Sequence, residues 1–178
     1  MTKPQRTFTS DRAYIPELLK ALNETPPNQR QRRVDIINEF VSKGKDHEKL
    51  LKSFMECMWH PHVIFDLPHG IPPFKENTAP DYDTAGRSLY NFFNDRITTY
   101  FVKGQKNYIK VDVKRQTLFI QQLESMYKDD AIVLCMMKDK ELRNCKKFVN
   151  ESLFREAMPG YLPPKTEAES PNVQSVNG

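Results

Sequence analysis

The chain has 178 residues, a net charge of +4 and a hydrophobic content of 38 %. This length suits one domain with a real core, and an aromatic content of 11 % excludes an intrinsically disordered chain. No apolar run approaches the roughly 18 residues that a membrane helix needs, and the N-terminal residues lack the apolar core of a secretion signal.

The cysteines and the charge distribution bear on compartment and partners. Cys57, Cys135 and Cys145 are an odd number without paired spacing, so we expect reduced thiols in a cytosolic setting. Residues 1–33 contain seven Lys or Arg and three acidic residues, which accounts for the whole net charge. Any attraction to a polyanion is therefore expected near the N-terminus.

Apolar residues at helical spacing predict three helices in the first third of the chain. The first covers residues 14–22 and ends at the Thr25-Pro26-Pro27 stop, with Asp11 as a candidate cap. The second begins at Asn28 and ends at Gly44. The third is capped by Asp46 and ends near Trp59. The predicted inward residues are Ile15, Leu18, Leu19 and Leu22, then Val34, Ile37 and Val41, then Leu50, Leu51, Phe54, Met55 and Met58.

The stretch 59–74, WHPHVIFDLPHGIPPF, predicts an extended connector that neighbouring helices pack against. Residues 62–67 are too short and too closely bounded by prolines for a helix, so we expect extended chain or a lone strand. Residues 68–70 predict a turn, and residues 71–74 predict a polyproline-like segment.

The second half of the chain predicts four more helices. One begins at Asp83 and runs to about Val102, and the next runs to about Tyr127 with Arg115 facing outward. A short helix covers residues 131–137 and is followed by a charged turn at residues 138–141. The last helix is predicted to begin at Asn144 and to end at Pro159-Gly160.

These elements predict an all-α fold, a single-domain irregular bundle of about seven helices with the extended proline-rich connector (59–74) packed on it. We expect a flexible N-terminus at residues 1–10 and a helical domain at residues 11–162. Residues 163–178 are polar and contain no aromatic residue, so we expect a disordered tail there.

Four side chains in and beside the connector resemble part of a metal site: Cys57, His60, His62 and His69. Zinc takes four nitrogen or sulfur ligands, but this spacing matches no standard finger and no second cysteine pair is present. Histidines that cap helix ends and satisfy buried backbone groups are the more common use of such a pattern. We therefore expect no metal and no cofactor, with a zinc site as a remote alternative.

Arg30, Arg32 and Arg33 at the start of the second helix suggest a phosphate-binding surface, because helix N-termini and arginine both favour anions. A solvated helix face explains the same pattern more simply. The chain lacks the phosphate-loop, dinucleotide, nucleophile-elbow, zinc-protease and kinase motifs, so we expect no enzymatic activity. The excess of aromatic residues instead suggests a protein-binding surface near the connector, with Trp59, Phe65 and Phe74 as candidate binding residues.

The string FDLPHGIPPF at residues 65–74 resembles an F-x-LP-x-G-x-PPF signature of an uncharacterised protein family of tailed, T4-like bacteriophages. Residues 118–142 resemble that family's helical segment ending in a KDK turn, and residues 148–163 resemble its closing helix. The resemblance covers roughly residues 50–163 and implies a phage origin and the cytoplasm of an infected bacterium. It supplies no catalytic residue.

Two functions follow as hypotheses. The first is a phage-encoded, non-enzymatic helical adaptor or regulatory protein that binds a host or phage protein. The alternative is a nucleic-acid-associated accessory protein that uses the basic residues 1–33.

Overall fold

Seven α-helices and one 3-10 helix form the regular structure in the computed structural model, which describes residues 12–78, 88–110 and 112–165. No strand longer than a single bridge occurs within these ranges. The all-α prediction is therefore confirmed. The elements are α1 (Ile15–Glu24), α2 (Arg30–Ser42), α3 (Lys45–Trp59), α4 (Leu89–Asn94), the 3-10 helix (Ile97–Tyr100), α5 (Asp112–Ser125), α6 (Lys128–Asp139) and α7 (Glu151–Ala157).

The first three helices match their predicted positions, because each has a clear apolar stripe and a clear stop. Pro16 lies in the first turn of α1, where its missing N–H has no intrahelical partner to lose. The cap of α3 is Gly44 rather than Asp46, which lies inside the first turn, where its charge complements the helix dipole. The predicted cap Asp11 is outside the described residues.

Helices α3 and α6 lie at the centre of the core. Helix α3 packs against α2, α4 and α6, and α6 also packs against α1, α4 and α5, while α7 packs on α2. The inward residues of α3 are all buried, as predicted: Leu50, Leu51, Phe54, Met55 and Met58. Among the described residues, no helix is long and apolar enough to cross a membrane.

The predicted long helix ending at Val102 is wrong within the described residues. Ser88 caps the short helix α4, its hydroxyl accepting a hydrogen bond from the Asn91 N–H. Arg96 then adopts the left-handed conformation with φ 57°, which ends the α-helix before the 3-10 helix begins. Tertiary pairing decides this, because Val102 leaves the helix to form an antiparallel bridge with Phe65. The predicted cap Asp83 is outside the described residues.

The last helix also begins later than predicted. Asn150, not Asn144, caps α7, and its side chain accepts from the Leu153 N–H at 3.1 Å. Asn144 is instead in the left-handed region with φ 56°. The chain after it is held by Asn23, whose side-chain oxygen accepts from the Lys146 N–H at 2.8 Å. A contact distant in sequence therefore competes with the local helix signal.

The connector runs extended from α3 across the bundle, as predicted, and its lone strand reduces to one bridge. The Asp66 N–H donates to the Phe101 carbonyl at 2.9 Å, and the Lys103 N–H donates to the Ile64 carbonyl at 2.9 Å. Beyond the connector, Asn77 forms a second isolated bridge with Tyr127. Residues 1–10, predicted to be flexible, and residues 166–178 of the predicted disordered tail 163–178 are outside the described residues. The start of that tail contacts α7, because Arg155 donates to the Pro163 carbonyl at 3.0 Å and Lys165 lies 3.0 Å from Glu151.

Candidate functional site

A cleft of about 370 Å³ lies between the connector and α5. We call residues 67–73 of the connector the strap, because they form one wall of the cleft. The opposite wall is α5, which contributes Gln116, Phe119 and Ile120, and Lys138 of α6 also lines the cleft. Most of these side chains are apolar. We refer to the whole as the connector cleft.

Exposed apolar side chains lie in and beside the connector cleft. Ile71 of the strap is 44 % exposed, and Val113 is 77 % exposed. Val113 precedes Gln116 by three positions and Ile120 by seven, so all three lie along neighbouring positions on α5. Only four large apolar side chains are exposed in the described part of the chain, and two of them are here. Such a concentration is typical of a surface that binds something.

Two charged side chains at the end of α6 hold the strap, and we call this pair, Lys138 and Asp139, the clamp. The Lys138 ammonium donates to the carbonyls of Pro68 at 2.6 Å and Gly70 at 2.9 Å, and to the Asp139 carboxylate. Asp139 accepts from the Gly70 N–H at 3.1 Å. The two side chains are only 2 % and 1 % exposed. The predicted charged turn at residues 138–141 is therefore wrong, because its first half is a buried helix end.

Arg143 places a second positive charge beside Asp139 and donates a hydrogen bond to its carboxylate at 2.7 Å. Burial alone would raise the pKa of the Asp139 carboxyl, but the hydrogen bonds from Lys138 and Arg143 outweigh it and hold that pKa below its ordinary value. The carboxylate is consequently charged at neutral pH and paired on two sides. The clamp is thus a structural ion pair rather than a source of free acid or base.

A second polar network fixes the chain at the start of the strap. Arg115 donates to the Tyr108 hydroxyl and to the Ile109 carbonyl, each at 3.1 Å, and lies 3.1 Å from Asp66. The Tyr108 hydroxyl in turn donates to Asp66. Arg115 is 3 % exposed, so its predicted outward position is wrong. Helical spacing placed it outside, but burial against the connector becomes favourable once its charge is paired.

The predicted aromatic binding residues pack against the core, one of them buried and two partly buried. Phe65 is buried. Trp59 is half-buried against Phe54 and Phe154, with ring centroids 5.9 Å and 5.1 Å away. Phe74 is half-buried and packs against the core. The exposed apolar groups of the cleft are aliphatic.

The structure brings only two of the four candidate metal ligands together, His60 and His62, whose ring centroids are 5.6 Å apart. Cys57 is buried, and the His62 N–H donates to the His60 Nδ1 at 3.1 Å, which makes that histidine a local cap. His69 lies 3.4 Å from Glu141. Within residues 12–78, 88–110 and 112–165, no group of three or more His, Cys, Asp or Glu could hold a metal ion.

The thiols have environments that suppress reactivity. Burial, with the nearby Glu56 charge, raises the pKa of Cys57 to about 12, and burial raises the pKa of Cys135 to about 11. Burial also raises the pKa of the half-buried Cys145. Because the thiolate is the nucleophile, we expect Cys57 and Cys135 to resist a maleimide reagent at pH 8 in the native state.

Mass spectrometry of the labelled chain checks this expectation. Cys145 should be modified first, and all three cysteines should be modified in denaturant. Rapid native labelling of Cys57 ahead of Cys145 would contradict the buried placement.

The three candidate phosphate-binding arginines all contact protein groups. Arg33 is 2 % exposed, donates to the Pro26 and Pro27 carbonyls, and lies 4.2 Å from the centre of the Phe148 ring. Arg30 donates to Glu156 at 2.8 Å, and Arg32 donates to Glu39 at 2.7 Å. The Arg33 side chain therefore holds the loop between α1 and α2 in place, rather than facing a ligand.

Sequence reasoning missed the residues that define the connector cleft: Ile71, Gln116, Ile120, Lys138 and Asp139. Only one signal pointed to the region, the proline-rich string itself. Two adjacent charged residues, such as Lys138 and Asp139, are typical of a solvated turn. Nothing in the neighbouring sequence shows that a distant loop covers them.

Comparison with known proteins gives one family. A family model described as a family of unknown function (DUF6433) matches residues 22–144, about two thirds of the chain. The matched range includes the strap, the clamp and the cleft-lining part of α5. No curated protein and no solved structure matches the chain.

Proposed function

The chain belongs to the family of unknown function DUF6433, and on that premise we propose that it is a non-enzymatic helical adaptor that binds a protein partner through the connector cleft. The observation that carries the proposal is the cleft itself, which has a volume of about 370 Å³, a mostly apolar lining and the exposed Ile71 on its strap wall. Removing the apolar surface of a concave site from water is favourable, so a partner that covers it is bound more tightly.

Both walls of the closed cleft are held in place, and this supports a docking role. The clamp holds one wall at Pro68 and Gly70, and the buried helix face at Phe119 holds the other. A site that is already formed costs little conformational entropy when the partner binds. The partner would contribute apolar side chains, since Lys138 is occupied by three acceptors and has no donor left for a ligand.

The same pairing argues for binding rather than catalysis at this place. Lys138 and Asp139 are the buried titratable groups beside the cleft, and each is consumed by structural hydrogen bonds. A general acid or base needs a proton that it can exchange with a substrate. The adaptor hypothesis requires no such group.

The biological setting is also part of the proposal. The resemblance of FDLPHGIPPF to a T4-like phage signature supports a phage gene whose product acts in the cytoplasm of the infected bacterium. The partner would then be a host or phage protein. Unpaired cysteines agree with a reducing compartment.

A matched pair of variants tests the docking site. Ile71 and Ile64 are 44 % and 46 % exposed, but only Ile71 lines the cleft. We expect Ile71→Asp to reduce capture of the partner from infected-cell lysate at least about tenfold, because a carboxylate would lose its water in the apolar cleft. Ile64→Asp should capture the partner like the unchanged chain.

Quantitative mass spectrometry after nuclease treatment provides the readout. Equal capture by both aspartate variants would contradict the connector cleft as the docking site. Capture of nucleic acid alone, lost with nuclease, would favour the accessory-protein alternative, for which the engaged arginines give no geometric support.

A further inference from the structure

We propose that the strap is a gate to the α5 wall of the connector cleft, which opens by releasing from the clamp while the helices remain folded. The inference rests on the proposed function, since it names how a partner that contacts the closed cleft reaches that wall. It is carried by the way in which residues 67–73 are attached.

The strap is anchored at both ends by backbone contacts. Before it, the Asp66 N–H donates to the Phe101 carbonyl at 2.9 Å. After it, the Lys75 N–H donates to the Glu124 carboxylate at 3.0 Å, and the Lys128 N–H donates to the Asn77 carbonyl at 3.1 Å. These anchors allow the segment between them to move without leaving the domain.

The middle of the strap is attached differently, by side chains of the clamp. Lys138 holds the carbonyls of Pro68 and Gly70, and Asp139 holds the Gly70 N–H. Gly70 has φ +100°, a conformation that glycine adopts without strain, and a Cβ built there would meet nothing within 4 Å. The turn at Gly70 is therefore held by the clamp rather than by close packing.

Release of the strap leaves neither buried charge of the clamp unpaired, and the pair of His69 with Glu141, which it also breaks, is exposed to water. Lys138 and Asp139 would still contact each other, and Asp139 would keep its 2.7 Å hydrogen bond from Arg143. The freed carbonyls and N–H belong to a strap whose Pro68, His69 and Ile71 are already exposed, so water can satisfy them. Breaking a buried ion pair is costly chiefly when one charge is left without a partner. In the open state Lys138 and Asp139 both keep a partner.

The open state would uncover the α5 wall, where Phe119 is buried and Ile120 is half-buried. A local opening of this kind needs less free energy than global unfolding, because the α3 core stays intact. A partner that first contacts the exposed Ile71 of the closed cleft would reach the α5 wall only after the strap lifts, so the clamp would set the rate of that second step.

Amide hydrogen exchange of the unmodified full-length chain in increasing urea tests the gate directly. We expect the Gly70 amide to exchange through an opening that hardly depends on urea, because little surface is exposed. The amides of Leu51 and Phe54 in α3 should follow the steep dependence of global unfolding. If Gly70 follows the same steep dependence as α3, the strap has no separate opening and the proposal is overturned.

A pair of lysine variants tests the role of the clamp. Lys138→Met removes the donors to the strap, whereas Lys140→Met removes an exposed lysine that donates to the His60 carbonyl instead. We expect the ratio of Gly70 exchange to α3 exchange within the same variant to rise at least about tenfold in the first and to stay unchanged in the second. An equal ratio in both variants would overturn the clamp's role.

These exchange measurements need no partner. A strap without separate opening would therefore refute the gate and leave the docking site intact. Loss of the docking site in the Ile71→Asp experiment would refute the proposed function while leaving the opening measurable.

Discussion

Replacing Phe54 by alanine is expected to destabilise the fold by about 3–5 kcal/mol, the usual cost of emptying a buried aromatic site. Phe54 is fully buried in α3, the helix that contacts α2, α4 and α6. Its ring lies 5.9 Å from Trp59 and 5.8 Å from Phe154, so the cavity would open between the start of the connector and α7. The loss should appear as a lower midpoint of urea unfolding with a nearly unchanged slope.

Two controls separate packing from general effects of substitution. Phe54→Leu keeps most of the apolar volume and should cost clearly less than alanine. Val113→Ala, at a side chain that is 77 % exposed, should stay within about 0.5 kcal/mol of the unchanged chain. A Phe54→Ala protein as stable as the Val113→Ala protein would contradict the close packing of Phe54 in the core.

Replacing Asp139 by alanine is expected to cost about 3–5 kcal/mol, because it abandons the buried Lys138 ammonium. That ammonium would keep only the Pro68 and Gly70 carbonyls, at a position where its side chain is 2 % exposed. Urea unfolding at pH 7 measures the loss. The double variant Lys138→Met with Asp139→Ala should recover part of it, since no charge then remains buried.

The direction of the Asp139 pKa shift determines how the stability loss in Asp139→Ala changes with pH. The Asp139 pKa is lower in the folded chain than its ordinary value of about 4, so the carboxylate's contribution is fully present above that value. As the pH falls through the folded pKa, the carboxylate is protonated and the contribution is lost. The stability gap between the unchanged chain and Asp139→Ala should therefore be constant near neutrality and narrow in acid. A gap that widens below pH 4 would contradict the assigned pairing.

Elements with their own stripe and their own stop could be predicted from the sequence. Helix α1 ends where Thr25-Pro26 follows it, and α3 ends just before His60-Pro61, so neither needs help from the rest of the chain. The extended connector follows from its prolines for the same reason. These are local steric effects, which the order of residues states directly.

Elements that depend on distant partners were predicted wrongly. The segment after Asp95 has helical spacing, yet Phe101 and Val102 pair with the connector, and Arg96 turns the chain to allow it. Arg115 and Lys138 have the charge of surface residues, yet both are buried with their partners. A charged side chain is usually exposed to solvent. Its burial can be predicted only when the carboxylate or carbonyl that pairs with it is known, and for both residues some of these partners lie far away in the chain.

The sequence by itself determined that this is an all-α domain with a proline-bounded connector, since periodicity and proline act within a few residues. Only the tertiary structure decided that the connector covers α5, that Lys138 and Asp139 hold it there, and that the exposed apolar side chains in and beside the connector cleft are the aliphatic Ile71 and Val113. The reason is that a cleft is a property of two surfaces far apart in the chain, and its fit depends on contacts that no local pattern encodes.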